Sequence, residues 1–248
     1  MKVVLRINET TKCVHGNRDM YSSKTACILD CVGSLLKSIG EFSKGRRDIE
    51  VFAVMDRVED TTKAKIKELA ARLNIPIFFF KCQPGNASSF NACLNIATKF
   101  DRGEYVFFVE DDYKFERNAI GEIVAFLDKF DGKIMINPVL DLNDFVSFLK
   151  KDGKYERTIV LPGHGIYWKQ IYHTTKTFLI NVGDLVDNKS IYDAEIKTGQ
   201  LTGQTNEVTR RVPCFCPLTV IARHMQTKKT LDIFESGEVL EKYTTEAI

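Results

Sequence analysis

The sequence predicts an α/β fold in which a mostly parallel central sheet carries helices on both faces and a specialised C-terminal third follows. Strand-like and helix-like stretches alternate four times over about 135 residues, the pattern that successive βαβ units require. The expected strand ends are polar (Asn8, Asp56, the Gly85–Ser89 loop and Glu110–Asp112), and in such a sheet ligands bind outside the carboxyl ends of the strands. Beyond about residue 138 the alternation fails. With no repeat and no low-complexity linker, the 248 residues read as one domain in two parts, about 1–137 and about 138–248.

Val3–Ile7 is a short β-branched strand leading into a polar loop that contains Asn8, His15, Asn17 and Arg18. Ile28, Val32, Leu35, Leu36 and Ile39 then recur at helical spacing, with Ser22 or Ser23 available as the cap and Gly40 at the end. Ile49–Met55 predicts the second strand, ending at Asp56, and Ile66, Leu69, Ala70 and Leu73 give the next helix one apolar face. Pro76 opens a third strand, Ile77–Phe80, and Phe90, Cys93, Leu94 and Ala97 mark the third helix. A fully buried fourth strand is predicted by the apolar run Val106–Val109 after Tyr105. Ile120, Ile123, Val124 and Leu127 predict a helix after it, and Lys133–Ile136 a further strand.

In the last third, Leu140, Leu142, Phe145, Phe148 and Leu149 give a helical hint within Pro138–Tyr155. Arg157–Leu161 and the aromatic stretch Ile166–Tyr172 are strand-like on either side of the turn Pro162–Gly165. Ser190–Arg211 is polar and helix-like, and the apolar run Pro217–Ala222 ends in Arg223 and His224.

A net charge of +2 and a pI near 8.1 leave no global field for nucleic acid or an anionic membrane, and 44% hydrophobic residues can fill a sizeable core. No run approaches the ~20 apolar residues of a membrane span, and the first residues lack the apolar core of a signal peptide. The expectation is a soluble, cytoplasmic protein. Seven cysteines in apolar contexts fit reduced thiols, with Cys27 and Cys31 as core residues one helical turn apart. A zinc set of Cys13, His15, Cys214 and Cys216 is disfavoured because neither pair has CxxC spacing.

Three adjacent acids, Glu110, Asp111 and Asp112, end the buried fourth strand. Neighbouring carboxylates repel when held away from bulk water, and a divalent cation is the direct way to stabilise them. Oxygen ligands of this kind suit magnesium or manganese. An isolated acidic turn would equally be solvated surface; its convergence with the other polar strand ends points to an active site.

The stretch YVFFVEDDYKF, together with Asp56 in VFAVMDR and the order VEDDY, YHTTKTF, CPLTVIARH, resembles the GT-A-fold glycosyltransferases, family 2-like, of the small bacterial and viral type. The resemblance spans Val3 to about Lys229 and implies a Rossmann-like sheet, a nucleotide diphosphate sugar as donor, a UDP-sugar such as UDP-glucose favoured, and Mn2+ or Mg2+ as cofactor. It implies that Asp112 ligates the metal, that Glu110 and Asp111 face the ribose and donor sugar, that Asp56 bonds the nucleoside, and that His224 is a late metal ligand. Arg6, Asn8 and Lys228 complete the expected donor contacts. The loop after the first strand and the region after TKTF depart from the common pattern, which leaves the catalytic base open.

An inverting transfer needs a carboxylate to take the acceptor proton. Asp193, at an expected helix start, is the first candidate and Asp184 the second; either can instead be a helix cap. Trp168, with Tyr167 and Tyr172, offers an apolar platform for a sugar ring or base, the turn around His164 can close over the acceptor, and Thr177 lines the same region with His173 and Thr175. The acceptor expected is a saccharide hydroxyl or a hydroxymethylated DNA base, the latter presented outside the duplex stack. Two other readings stand beside this hexosyltransferase. A nucleotidyltransferase is disfavoured by the single glycine of RINETTKCVHGNRD, and a non-catalytic nucleotide- or glycan-binding module has little need of a metal site.

Overall fold

The computed structural model describes residues 1–10, 21–43, 49–130, 133–139, 159–172, 174, 176–198 and 205–225. The N-terminal half runs β1 (Lys2–Asn8), α1 (Lys24–Phe42), β2 (Glu50–Asp56), α2 (Asp60–Arg72), β3 (Ile77–Lys81), α3 (Asn86–Ala97), β4 (Tyr105–Glu110), β5 (Tyr113–Phe115), α4 (Ala119–Leu127) and β6 (Met135–Ile136). Then come β7 (Val160–Pro162), β8 (Tyr167–Ile171), β9 (Phe178–Asn181), α5 (Val182–Asp187), α6 (Lys189–Thr198), α7 (Thr205–Arg211), β10 (Cys214–Pro217) and β11 (Ala222–His224). The helical hint at Leu140–Leu149 and the start of the strand expected at Arg157 lie outside the described residues. The polar stretch from Ser190 is two helices, α6 and α7.

Nine strands form one sheet in the order β3-β2-β1-β4-β9-β6-β10-β8-β7, and β11 with β5 forms a two-stranded sheet beside it. β1 pairs in parallel with β2 and β4, β2 with β3, and β6 with β10. Only β9 and β8 run against the rest, each antiparallel to both neighbours. Sheet order 3-2-1-4 places a reversal of chain order between β1 and β4, and there the crevice for a ligand opens.

Alternation along the strands explains the layers. Val3, Leu5 and Ile7 of β1 and Phe107 and Val109 of β4 pack on one face against Ile28, Leu35 and Ile39 of α1 and Ile120, Ile123 and Phe126 of α4. Val4, Val106 and Phe108 face the other way, onto Phe90 and Leu94 of α3 and Tyr192 of α6. Burying each such side chain stabilises the fold by about 1.5–3 kcal/mol. Burial on both faces is why the parallel strands appear as near-continuous apolar runs.

Two serines of α1 tie that helix to β5 and to the start of α4. Ser34 Oγ accepts from the Phe115 N–H (2.8 Å), and Ser38 Oγ accepts from the Ile120 N–H (3.1 Å) at the start of α4. Each satisfies a backbone donor that would otherwise be orphaned in the core. Cys27 and Cys31 are buried side by side, Sγ to Sγ 4.0 Å, against Met225.

Candidate functional site

The parallel register brings the ends of β1, β2 and β4 to one edge, with Asn8 opposite Asp56 and Arg6 opposite Glu110. Charge there is compensated residue by residue. Glu110 is held by the Arg6 guanidinium, which also bonds the Asn86 side chain at the start of α3. Asp111, 6% exposed, accepts from Lys24 Nζ (2.6 Å) and from the Asn8 N–H (2.7 Å). Burial, with Asp112 alongside, pushes the Asp111 carboxyl up to about 6, against the pull of Lys24 and the Asn8 N–H. These two acids therefore fasten the edge to β1, α1 and α3.

Asp112 is different. Its carbonyl accepts from the Met225 N–H (2.8 Å), and β11 pairs with β5 in the register His224 opposite Tyr113. The His224 ring stacks on Tyr113, centroids 4.4 Å apart and 8° from parallel, which aims Nε2 at Asp112 Oδ2, 3.4 Å away. Two donors bound at about 2.1 Å to one divalent ion lie roughly 3.0–3.4 Å apart, so this pair fits such an ion. Among the described residues no third His, Cys, Asp or Glu completes a cluster. Water and a bound phosphate would supply the remaining ligands, as magnesium-type sites commonly require.

Asp56 is fully buried, and both its oxygens are committed. Oδ2 accepts from Asn8 Nδ2 (2.7 Å) and the Gly85 N–H (2.9 Å), and Oδ1 accepts from Arg57 Nε (2.8 Å). Gly85, at φ 120, occupies backbone that side-chain-bearing residues avoid, and so turns its N–H onto Asp56. Glu9 ties the same corner by accepting from Thr25 Oγ1, Thr62 Oγ1 and the Glu59 N–H.

Asp56, Glu110 and Asp111, expected to face the nucleoside, ribose and donor sugar, are each bonded within the protein. Two expected acceptor-side roles are corrected. Thr177 is fully buried, its hydroxyl accepting from the Glu110 N–H (3.0 Å), so it braces β4 and lines no acceptor site. Trp168 has no exposed surface and stacks on Phe126 (4.6 Å, 14°), a core contact and not a sugar platform. It is Tyr167 that faces out, at 61% exposure.

Asp184 stands at the wrong edge. β9 is antiparallel to β4 with Asn181 opposite Tyr105, so α5 begins at the start of β4, roughly 16 Å of strand from Glu110. Asp193 is on α6, bonded to Lys189 (2.6 Å), and half-exposed. The turn carrying His164 is pinned, not flexible: Gly165 N–H donates to Glu122 (3.1 Å) and Lys129 Nζ to the Pro162 and Gly163 carbonyls (2.8 and 2.9 Å). A Cβ on Gly163 would lie 2.5 Å from Trp168 Nε1. His164 itself is exposed, four strands from β4. Lys228, His173 and Thr175 lie outside the described residues.

Sequence reasoning missed Lys24 and Lys176. Lys176, at the start of β9, is buried against Phe90 and bonded to the fully buried Glu195 of α6 (2.6 Å). Burial pulls the Lys176 ammonium below its ordinary pKa, and Glu195 resists the shift.

The α/β sheet thus has its polar crevice at a strand-order reversal, with an aspartate-histidine pair beside it. The sequence model of glycosyl transferase family 2 matches residues 17–181, and the chain belongs to that family. No curated protein matches the chain. Among solved structures, the chain is similar to the S. aureus TarS fragment 1-349 in complex with UDP-GlcNAc (TM-score 0.51, 15% identity, covering 92% of this chain and 61% of that one). It is also similar to the mannosyltransferase PcManGT from Pyrobaculum calidifontis in complex with GDP-Man and Mn2+ (TM-score 0.53, 12% identity, 91% and 57%). The chain thus spans less than two thirds of the length of either. No helix among the described residues is long and apolar enough to cross a membrane.

Proposed function

We propose that the chain transfers a sugar from a nucleoside diphosphate sugar to a saccharide hydroxyl, with a divalent cation held by Asp112 and His224. The observation that carries this reading is the convergence of those two side chains at 3.4 Å, His224 on β11 and Asp112 immediately before β5. A cation bound there supplies Lewis-acid neutralisation of the charge that grows on the leaving diphosphate. UDP and GDP are the first nucleotides to try, since TarS and PcManGT were solved with UDP-GlcNAc and GDP-Man.

The chain's own residues do the rest. Arg6, Lys24 and Asn8 fix the acid edge by holding Glu110 and Asp111, next to which Asp112 meets His224. In the inverting reaction the acceptor oxygen bonds to the anomeric carbon as the bond to the phosphate oxygen breaks, and the acceptor proton passes to a carboxylate. Asp193 is assigned that role because it is accessible, whereas Glu195 is buried in its ion pair. Residues from about 1 to 137, with His224, hold the donor, and the rest of the C-terminal third holds the acceptor.

A near-neutral net charge favours a glycan over DNA as acceptor. The test is nucleotide release from UDP- and GDP-sugars with manganese. Release is expected in the wild type, absent in Asp112→Ala and His224→Ala of unchanged melting temperature, and only weakly dependent on added salt. Activity that survives both substitutions would overturn the metal assignment, and a steep loss with salt would point to DNA.

A further inference from the structure

We propose that Arg57 reads the donor's nucleobase at its 4- or 6-position, selecting the carbonyl oxygen that uracil (O4) and guanine (O6) present there over the amino group of cytosine (N4) and adenine (N6). The inference rests on the donor site proposed above. Arg57 has φ 52, one of two positive-φ residues other than glycine among those described, and the other, Asn74, merely ends a helix. Left-handed backbone at a long side chain is uncommon and signals a constraint worth its strain.

The constraint is visible. Asp56 grips the guanidinium through Nε (2.8 Å) and the second terminal nitrogen (3.4 Å), and Asp56 is itself locked by Asn8 and Gly85. Neutralising Asp56 would leave a side chain folded into the edge, yet Arg57 is 47% exposed while Asp56 is 0%. A guanidinium has five N–H donors in a rigid fork. Two are spent on Asp56, so three remain for a ligand, on a guanidinium anchored at one side.

Position selects the base. β2 lies two strands from β4 in the sheet, which puts the end of β2, where Arg57 follows, roughly 10 Å along the edge from the end of β4, where the acid cluster begins. Diphosphate at that pair leaves the nucleoside to reach across β1 towards β2, because the opposite direction is closed by Thr177 and the buried Lys176–Glu195 pair. An oriented fork of donors satisfies a carbonyl oxygen at the base position it faces, O4 of uracil or O6 of guanine, and opposes the amino group that cytosine or adenine carries there.

The experiment is calorimetric titration of UDP, CDP, GDP and ADP, and of pyrophosphate alone, in manganese, on wild type, Arg57→Ala and Arg57→Lys. Arg57→Lys keeps a cation on Asp56 and guards against loss of fold. Wild type should prefer UDP over CDP, or GDP over ADP, by at least about tenfold. Both variants should reduce that ratio to within about threefold while pyrophosphate binding is unchanged. A ratio unaltered by either substitution, no preference in the wild type, or equal loss of all ligands including pyrophosphate would overturn the role of Arg57. No nucleotide binding by the wild type would overturn the donor site itself.

Discussion

Removing Lys176 should be among the costliest single changes at the functional edge. Its ammonium bonds Glu195 at 2.6 Å, with side-chain exposures of 9% and 0%, and lies 4.8 Å from the Phe90 ring centroid. Lys176→Met leaves Glu195 as a buried carboxylate without its main counter-charge, and losing one partner of such a pair costs about 3–5 kcal/mol. For a domain of this size that corresponds to a fall in Tm of roughly 6–20 °C. Replacing both partners, Lys176→Met with Glu195→Leu, removes the stranded charge and should recover most of the loss. Urea denaturation of the two single variants and the double completes the cycle. A Lys176→Met variant within about 1 kcal/mol of wild type would refute the account.

The same pair sets a pH dependence. Because burial lowers the folded pKa of Lys176 below 10.5, the unfolded chain holds more protons in that interval. Its contribution to stability should therefore rise as pH climbs from the lowered pKa towards 10.5, and Lys176→Met should flatten that rise in a thermal-denaturation series. Trp168→Ala should cost about 3–5 kcal/mol by opening a cavity against Phe126, whereas Trp168→Phe should leave KM for donor and acceptor unchanged, because the ring is core. Asp193→Asn should lower kcat by about 100-fold or more with donor affinity retained, as loss of a general base does. Asp184→Asn should leave turnover intact, and since burial raises the Asp184 pKa it should remove a loss of stability that the wild type shows as pH rises through that pKa.

The N-terminal half was legible because its strands, buried on both faces, are apolar runs, and its helices show one clean stripe each. The polar strand ends followed from that, and so did the acid edge. Three features were not legible, each for a physical reason. β9 is four residues long and gains its place by pairing with β4, some seventy positions away in the chain, so nothing local marks its direction. Since β9 runs antiparallel, Asp184 falls at the far edge even though it follows a strand, as catalytic carboxylates do in a parallel unit.

Tyr167 and Trp168 are aromatic in both phases of one strand, and a shift of one residue exchanges the buried ring for the exposed one. Lys24 and Lys176 gave no signal because their partners, Asp111 and Glu195, are set by tertiary packing. His224 was a candidate through the family resemblance, by its place after the apolar run Pro217–Ala222. What aims it is β11, three residues long, paired with β5 and braced by Ser34.

The central claim is that Asp112 and His224 hold a divalent cation that in turn holds the donor diphosphate. Calorimetric titration of UDP and GDP, with manganese and with chelator, on wild type and Asp112→Ala tests it most directly. The account predicts nucleotide binding that needs manganese and disappears in Asp112→Ala. Equal binding with chelator, or binding retained by that variant, would contradict it.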